Sequence, residues 1–283
     1  MQTSANSLFH FTYHIDILSK ILVTKFYGSY CKEHFECKSC KEEILSYTIY
    51  VPKISFCDIP EETINKYTSY GKYCIGLSKE WARRNRLNPV LYIEKNSMIA
   101  ESFIRAFKGT PLGVGFVNRT ASELAELYRL TESSPDRQAI LDGIDHLLTQ
   151  TEAMGRIVTF SQYSPFYIKS YEDDLPRKDG VIKDYRFYDE REWCYVPESL
   201  QTSNGLYKNE QQYNEWRQQN ENKPLIEEVS LDFDFSDITH LIVEKKEDIK
   251  TLAKEIEIMP AHKITSEQKE LLIKKITLFE NLK

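Results

Sequence analysis

Most signatures that identify a protein on sight are missing from this chain. No stretch approaches the roughly 20 consecutive apolar residues that cross a bilayer. Its first residues, MQTSANSLFHFTYH, lack a basic region followed by an apolar run, so neither secretion nor membrane insertion is expected and a cytoplasmic location is. Six cysteines (31, 37, 40, 57, 74 and 194) are too few for a disulfide scaffold in 283 residues, and they read as free thiols in a reducing compartment. Neither a P-loop nor a Rossmann glycine fingerprint is present. The run GTPLGVGF (109–116) follows a helical segment and reads as a loop. HExxH, GxSxG and the kinase signatures are absent as well. A formal net charge of −6 leaves no dominant basic footprint for nucleic acid, although a local groove stays open.

What is present describes an ordinary globular protein: the apolar fraction is 41% and the charged fraction 28%, enough for a sizeable core. The expected fold is mixed α/β (α+β), a single domain over 1–283 with a helical insertion at 96–155 and C-terminal strand-helix elements at 223–283. SLFHFT (7–12) reads as a buried strand and IDILSKILVTKF as a helix. Residues 28–45 are polar and read as a loop, whereas ILSYTIYVPKISFCDIP (44–60) reads as two strands interrupted at Pro52. PEETINKY opens a short helix, YGKYCIGLS (70–78) a strand, KEWARRNRL a helix and NPVLYIE (88–94) a strand. Helices follow to about Gly155, the last starting near Ser133, Ser134 and Pro135. RIVTFSQYSPFYIKSY (156–171) returns to strand, EDDLPRKDG is a charged turn, and YRFYDEREWCYVP (185–197) is again strand-like. The Gln- and Asn-rich stretch 201–222 reads as exposed loop, and the end as two strand-helix pairs, ITHLIVEKKEDIKTLAKEI then HKITSEQKELLIKKI.

Two clusters carry chemistry. Cys31, His34, Cys37 and Cys40 recur every third residue and are zinc-binding types, but no spacer separates two ligand pairs, so a solvated loop without metal is the expectation. The segment DEREWCYVP is more specific. On a regular strand Glu190, Glu192 and Cys194 share one face and Arg191, Trp193 and Tyr195 the other. Two carboxylates on one face accept hydrogen bonds from a sugar diol or offset a developing positive charge, although a Glu-x-Glu on an edge strand also simply faces water.

A Glu-x-Glu entering an apolar strand that ends in Pro resembles the last catalytic element of ADP-ribosyltransferases, and His10 followed by Thr12 in LFHFT resembles the His-x-Thr of their first strand. That resemblance implies a split-sheet core and NAD as substrate. It also implies Glu192 on the ribose 2′-hydroxyl, Glu190 positioning the acceptor and His10 on the NAD ribose, with Thr12 in the cofactor-binding strand. The middle element, YGKYCIGLSKEW, offers Tyr70 or Tyr73 to stack on nicotinamide and Ser78 as a further cofactor-binding candidate, and Lys79 there or Arg191 in the last element would meet the pyrophosphate; Ser161 and Ser164 in TFSQYS are the other candidates.

At a finer level SLFHFT, VPKISFCDIP, YGKYCIGLSKEWARRNRLNPVLYIEKNS and YRFYDEREWCYVP, in that order, resemble the AbiGi family of abortive-infection, phage-resistance proteins. Lys66, Cys74, Ser170 and Cys194 stand where that family's pattern has other residues. The resemblance implies bacterial antiphage defence beside a second operon component, with members described as the antitoxin half of a toxin–antitoxin pair. Two functions follow as expectations. One is an enzyme that cleaves the nicotinamide–ribose bond and passes ADP-ribose to protein, nucleic acid or water. The other is a non-catalytic antitoxin or sensor that binds an operon partner or a phage protein, without a membrane. A third reading uses the 18 tyrosines as stacking platforms for nucleic acid.

Overall fold

SLFHFT forms strand β1 (Ser7–Thr12), whose Leu8 and Phe9 are fully buried. The computed structural model of the chain describes residues 6–131, 134–177, 180–197, 207–221 and 223–282. After β1, helix α1 (Ile15–Val23) buries Leu18, Ile21 and Leu22, three residues at helical spacing on one face. Strands β2 (Phe26–Lys38) and β3 (Ile44–Cys57) then form neighbours in the sheet. The segment 28–45 is therefore mostly strand and not loop. Its second half alternates Phe35 and Cys37 inward with Glu36 and Lys38 outward, the period of a half-buried strand hidden by a polar composition. β3 runs unbroken through the buried Pro52, which a strand accepts where the missing N–H is not needed by the ladder.

A 3-10 turn at Glu61–Lys66 leads to β4 (Tyr73–Ser78), α2 (Lys79–Arg84), β5 (Asn88–Pro89) and β6 (Leu91–Ile93). Helices α3 (Met98–Leu130) and α4 (Arg137–Tyr163) follow. Next come β7 (Ile168–Ser170), the hairpin of β8 (Asp173–Arg177) and β9 (Gly180–Tyr185), and β10 (Glu192–Tyr195). The chain ends with α5 (Glu210–Gln219), β11 (Ile226–Leu231), β12 (Ile238–Val243), α6 (Lys246–Ile258), α7 (Ser266–Lys274) and β13 (Ile276–Leu278).

Two compact units result. The first takes 1–34, 48–92 and 169–283, and the second 35–47 and 93–168. The order of the main sheet is β11-β2-β3-β1-β4-β12-β13, with β10 beside both β3 and β5. Cys57, at the end of β3, pairs with Phe9 of β1 and with Glu192 of β10. That junction brings the start and the late part of the chain together. Below the sheet, α1, α2, α6 and α7 bury Leu18, Trp81, Leu252 and Leu272 against Ile75, Leu77 and Leu241. Burying side chains of this size contributes about 1.5–3 kcal/mol each. Trp81 also donates its ring N–H to the Asp232 carbonyl at 2.9 Å, so its polar atom is not orphaned.

The second unit holds α3 and α4, with Phe35, Tyr47 and Phe103 packed as an aromatic cluster. Here several expectations are corrected. GTPLGVGF is not a loop: α3 passes through it, Pro111 included. An interior proline costs about 3 kcal/mol, and close packing of α4 outweighs it. A Cβ on Gly113 would lie 2.9 Å from Val158, so glycine is what allows the two helices this approach. Likewise 156–163 is the end of α4 and not a strand. Ile144 and Thr151 are buried and Val158 faces Gly113; these seven-residue steps keep one helical face on the seam, which overrides the strand propensity of the β-branched residues.

Other differences are smaller. The expected strand 88–94 is two short pieces, and α5 occupies part of the stretch read as exposed loop, started by a capping box between Asn209 and Gln212. HKIT is not a strand; Thr265 caps α7, and β13 follows that helix. The N-terminal residues 1–5, Ser133, the turn positions 178–179, and 198–206 and 222 lie outside the described residues. All six cysteines are free, and no helix among the described residues is long and apolar enough to cross a membrane.

Candidate functional site

The first unit contains a cavity of about 1150 Å³, lined by His10, Lys53, Ser55, Tyr70, Lys169, Arg177, Glu190 and Glu192 among others. Pockets that take small ligands run to about 1,000 Å³, so this one has room for a nucleotide-sized molecule.

Glu192 opens β10 and is 4% exposed. Its Oε1 accepts from Lys53 Nζ at 2.9 Å and from Ser55 Oγ at 2.6 Å, and its Oε2 from Lys169 Nζ at 2.8 Å. Lys53 also pairs with Glu33 at 2.8 Å, and Lys169 with Glu190 Oε2 at 3.5 Å. Burial by itself would raise the Glu192 pKa, but Lys169 and then Lys53 outweigh it and hold the carboxyl well below the usual carboxylate range. Burial would equally lower both lysines, yet Glu192, with Glu33 beside Lys53 and Glu190 beside Lys169, keeps them well above the usual value. Five buried or nearly buried groups therefore form one network, in which Lys53, Lys169 and Glu192 hold their charges against burial through one another.

The expected alternation does not place Glu190. It ends a 3-10 turn (Phe187–Glu190), and Arg191 turns the chain with φ of 45° before β10 begins. A left-handed arginine is unfavourable, costing on the order of 1 kcal/mol. Asp58 N–H donates to its carbonyl and its own N–H to that of Tyr188, which fixes the bend. Through that bend both carboxylates reach Lys169. Tyr70 donates its hydroxyl to Glu190, and burial with the neighbouring Glu190 pushes the phenol far up.

His10 donates from Nδ1 to the Ser55 carbonyl at 2.9 Å, leaving Nε2 as the acceptor of a neutral ring. Burial lowers its pKa, partly opposed by that bond, and the Phe26 and Phe56 rings pack 5.2 and 5.4 Å away. Ser55 thus touches both residues, with its carbonyl on His10 and its hydroxyl on Glu192.

Of the residues expected at the site, His10, Tyr70, Glu190 and Glu192 line this cavity and Thr12, Tyr73, Ser78, Lys79 and Arg191 do not. Thr12 Oγ1 donates to the His14 carbonyl, and Tyr73 donates to Asp248 at 2.7 Å. Ser78 caps α2, and Lys79 pairs with Asp58 at 2.6 Å. Ser161 lies on α4 and Ser164 on the turn after it, both in the second unit. Cys31, His34, Cys37 and Cys40 follow one another along and just beyond β2, where Cys31 and Cys37 take one face and His34 the other. Among the described residues no three His, Cys, Asp or Glu side chains gather as a metal site.

A family model described as "Putative abortive phage resistance protein AbiGi, antitoxin" matches residues 24–244, which include Lys53, Tyr70, Lys169, Glu190 and Glu192. The chain belongs to the AbiGi family. A relative from Lactococcus lactis subsp. cremoris, the abortive phage resistance protein AbiGi, is 26% identical over 252 residues, covering 83% of this chain and 88% of its own. No solved structure matches the chain. Within this AbiGi chain, sequence reasoning missed Lys53, Ser55, Lys169 and Arg177. Lys53 alone carried a signal, a lone lysine inside the apolar strand ILSYTIYVPKISF, where a buried cation demands buried acidic partners.

Proposed function

We propose that this chain acts in abortive phage resistance as an antitoxin, working by binding, and that the cavity of its first unit is a ligand site without turnover. The antitoxin role takes its support from the description of the matching family model. Binding without chemistry is supported by the compensation of Glu192. A carboxylate that stabilises an oxocarbenium-like centre works through negative charge turned toward the sugar. Here Lys53, Lys169 and Ser55 already take that charge. Expression of the chain alone and together with the toxin of its operon tests the role. Normal growth alone and rescue in the pair are expected, and growth arrest by the chain alone overturns it.

One observation favours a second reading, as an ADP-ribosyltransferase-like enzyme: His10 and Glu192, far apart in sequence, line one cavity and both contact Ser55. In that reading the split sheet around Cys57 is the core, NAD is the substrate, and Tyr70 stacks on nicotinamide. Glu192 supports the ribose as the nicotinamide bond breaks, Glu190 positions the acceptor, and protein, nucleic acid or water takes the ADP-ribose. Incubation with NAD decides between the readings. Nicotinamide release that disappears in Glu192→Gln replaces the first with the second, and none above the buffer rate removes the second.

A further inference from the structure

Lys53 and Lys169 are engaged by carboxylates, but the cavity is lined by another cation whose hydrogen bonds are incomplete. Arg177 closes β8 opposite Gly180, and its guanidinium carbon lies 4.2 Å from the centre of the Tyr70 ring. Stacking on a tyrosine fixes the plane of a guanidinium. Tyr70 is itself held by its hydroxyl on Glu190, so that plane is tied to the charge network. Arg177 Nε and Nη2 are buried and find no hydrogen-bond partner among the described residues, and the side chain is in no ion pair there. Those two nitrogens form one edge of the guanidinium, with parallel N–H bonds at the spacing of two oxygens on one phosphorus. Buried donors left unpaired are costly, so such an edge is built for an acceptor that comes from outside the chain.

We propose that Arg177 is a phosphate-binding residue: its Nε–Nη2 edge takes two oxygens of a phosphate or pyrophosphate of a nucleotide in this cavity, with Tyr70 holding the plane. The volume fits a nucleotide, and Tyr13, Phe26 and Tyr27 in the lining offer rings for a base. The inference rests on reading the cavity as a ligand site and names what that ligand must carry.

Titration calorimetry of the whole chain with ADP, inorganic pyrophosphate and adenosine tests it. ADP and pyrophosphate bind the native chain, and Arg177→Gln weakens both about 10- to 100-fold, the range of one bidentate charge-assisted pair. Arg177→Lys keeps the charge without the fork and recovers only part of the loss; Tyr70→Leu weakens both severalfold. Adenosine binding does not change with Arg177→Gln, which also reports that the cavity is intact. Failure of ADP and pyrophosphate to bind the native chain, or equal binding by Arg177→Gln, overturns the proposal. A chain that rescues growth but binds neither phosphate probe removes this inference alone. One that fails to rescue yet loses ADP binding in Arg177→Gln removes the antitoxin reading alone.

Discussion

Replacing Lys53 by methionine keeps most of the stem and deletes the charge shared by Glu33 and Glu192. Both acceptors lie within 2.9 Å of its Nζ, and Lys53 is 4% exposed, so solvent screens little of the interaction. Glu192 keeps Lys169 and Ser55, but Glu33 loses its buried counter-charge. Breaking a buried pair from one side costs about 3–5 kcal/mol because the other charge is left uncompensated. In a chain of this size that lowers the midpoint by on the order of 10 °C. Urea unfolding of the native chain and the variant at several pH values checks it. The pH dependence has a definite sign. Glu192's pKa is depressed in the native fold, so its contribution to stability is present above its unfolded value near 4.5 and is lost as pH falls through the folded one. Without Lys53 the folded pKa moves back up. The deficit of Lys53→Met is then largest near pH 7 and shrinks as pH falls through the raised Glu192 pKa of the variant. A loss under about 1 kcal/mol, or one equal at pH 4 and pH 7, refutes the view that this network is mutually compensated.

Other outcomes follow from the same geometry. The native chain loses stability at high pH as well: both lysines are raised above their unfolded values, so their contribution is complete below about pH 10.5 and falls as pH rises through their folded values, which alkaline unfolding followed by circular dichroism detects. In α3, Gly115→Ala has open space and stabilises by about 0.5–1 kcal/mol through helix propensity, whereas Gly113→Ala meets Val158 and falls at least about 1 kcal/mol short of it in thermal denaturation. Gly71 has φ of 104°, and a Cβ there would sit 2.0 Å from the Thr12 carbonyl, so Gly71→Ala destabilises by more than about 2 kcal/mol, read as a drop in the urea midpoint. His10, lowered by burial, stays neutral at pH 7, and its imidazole resonances titrate only below the usual 6.5.

The chain's own residue pattern determined the elements whose local signal was clean. SLFHFT, YCIGLS and ITHLIV are short apolar runs bounded by polar residues, and the α1 and α6 helices repeat apolar residues at helical spacing, all local properties of the chain. Sequence also singled out His10, Tyr70, Glu190 and Glu192, all of which line one cavity. It failed where a distant partner set the outcome. The Pro- and Gly-containing 109–116 became helix because α4 packs on Gly113, and the β-branched end of α4 stayed helical on the same seam. Lys169 sits between two glutamates more than twenty positions away, and Lys53 pairs with Glu33 and Glu192 from two other strands. Nothing within a few residues of either lysine announces those pairings. Only the tertiary structure decided that Glu192's charge is already compensated, because compensation depends on distance in space, and at ordinary separations along the chain sequence carries no measure of that distance.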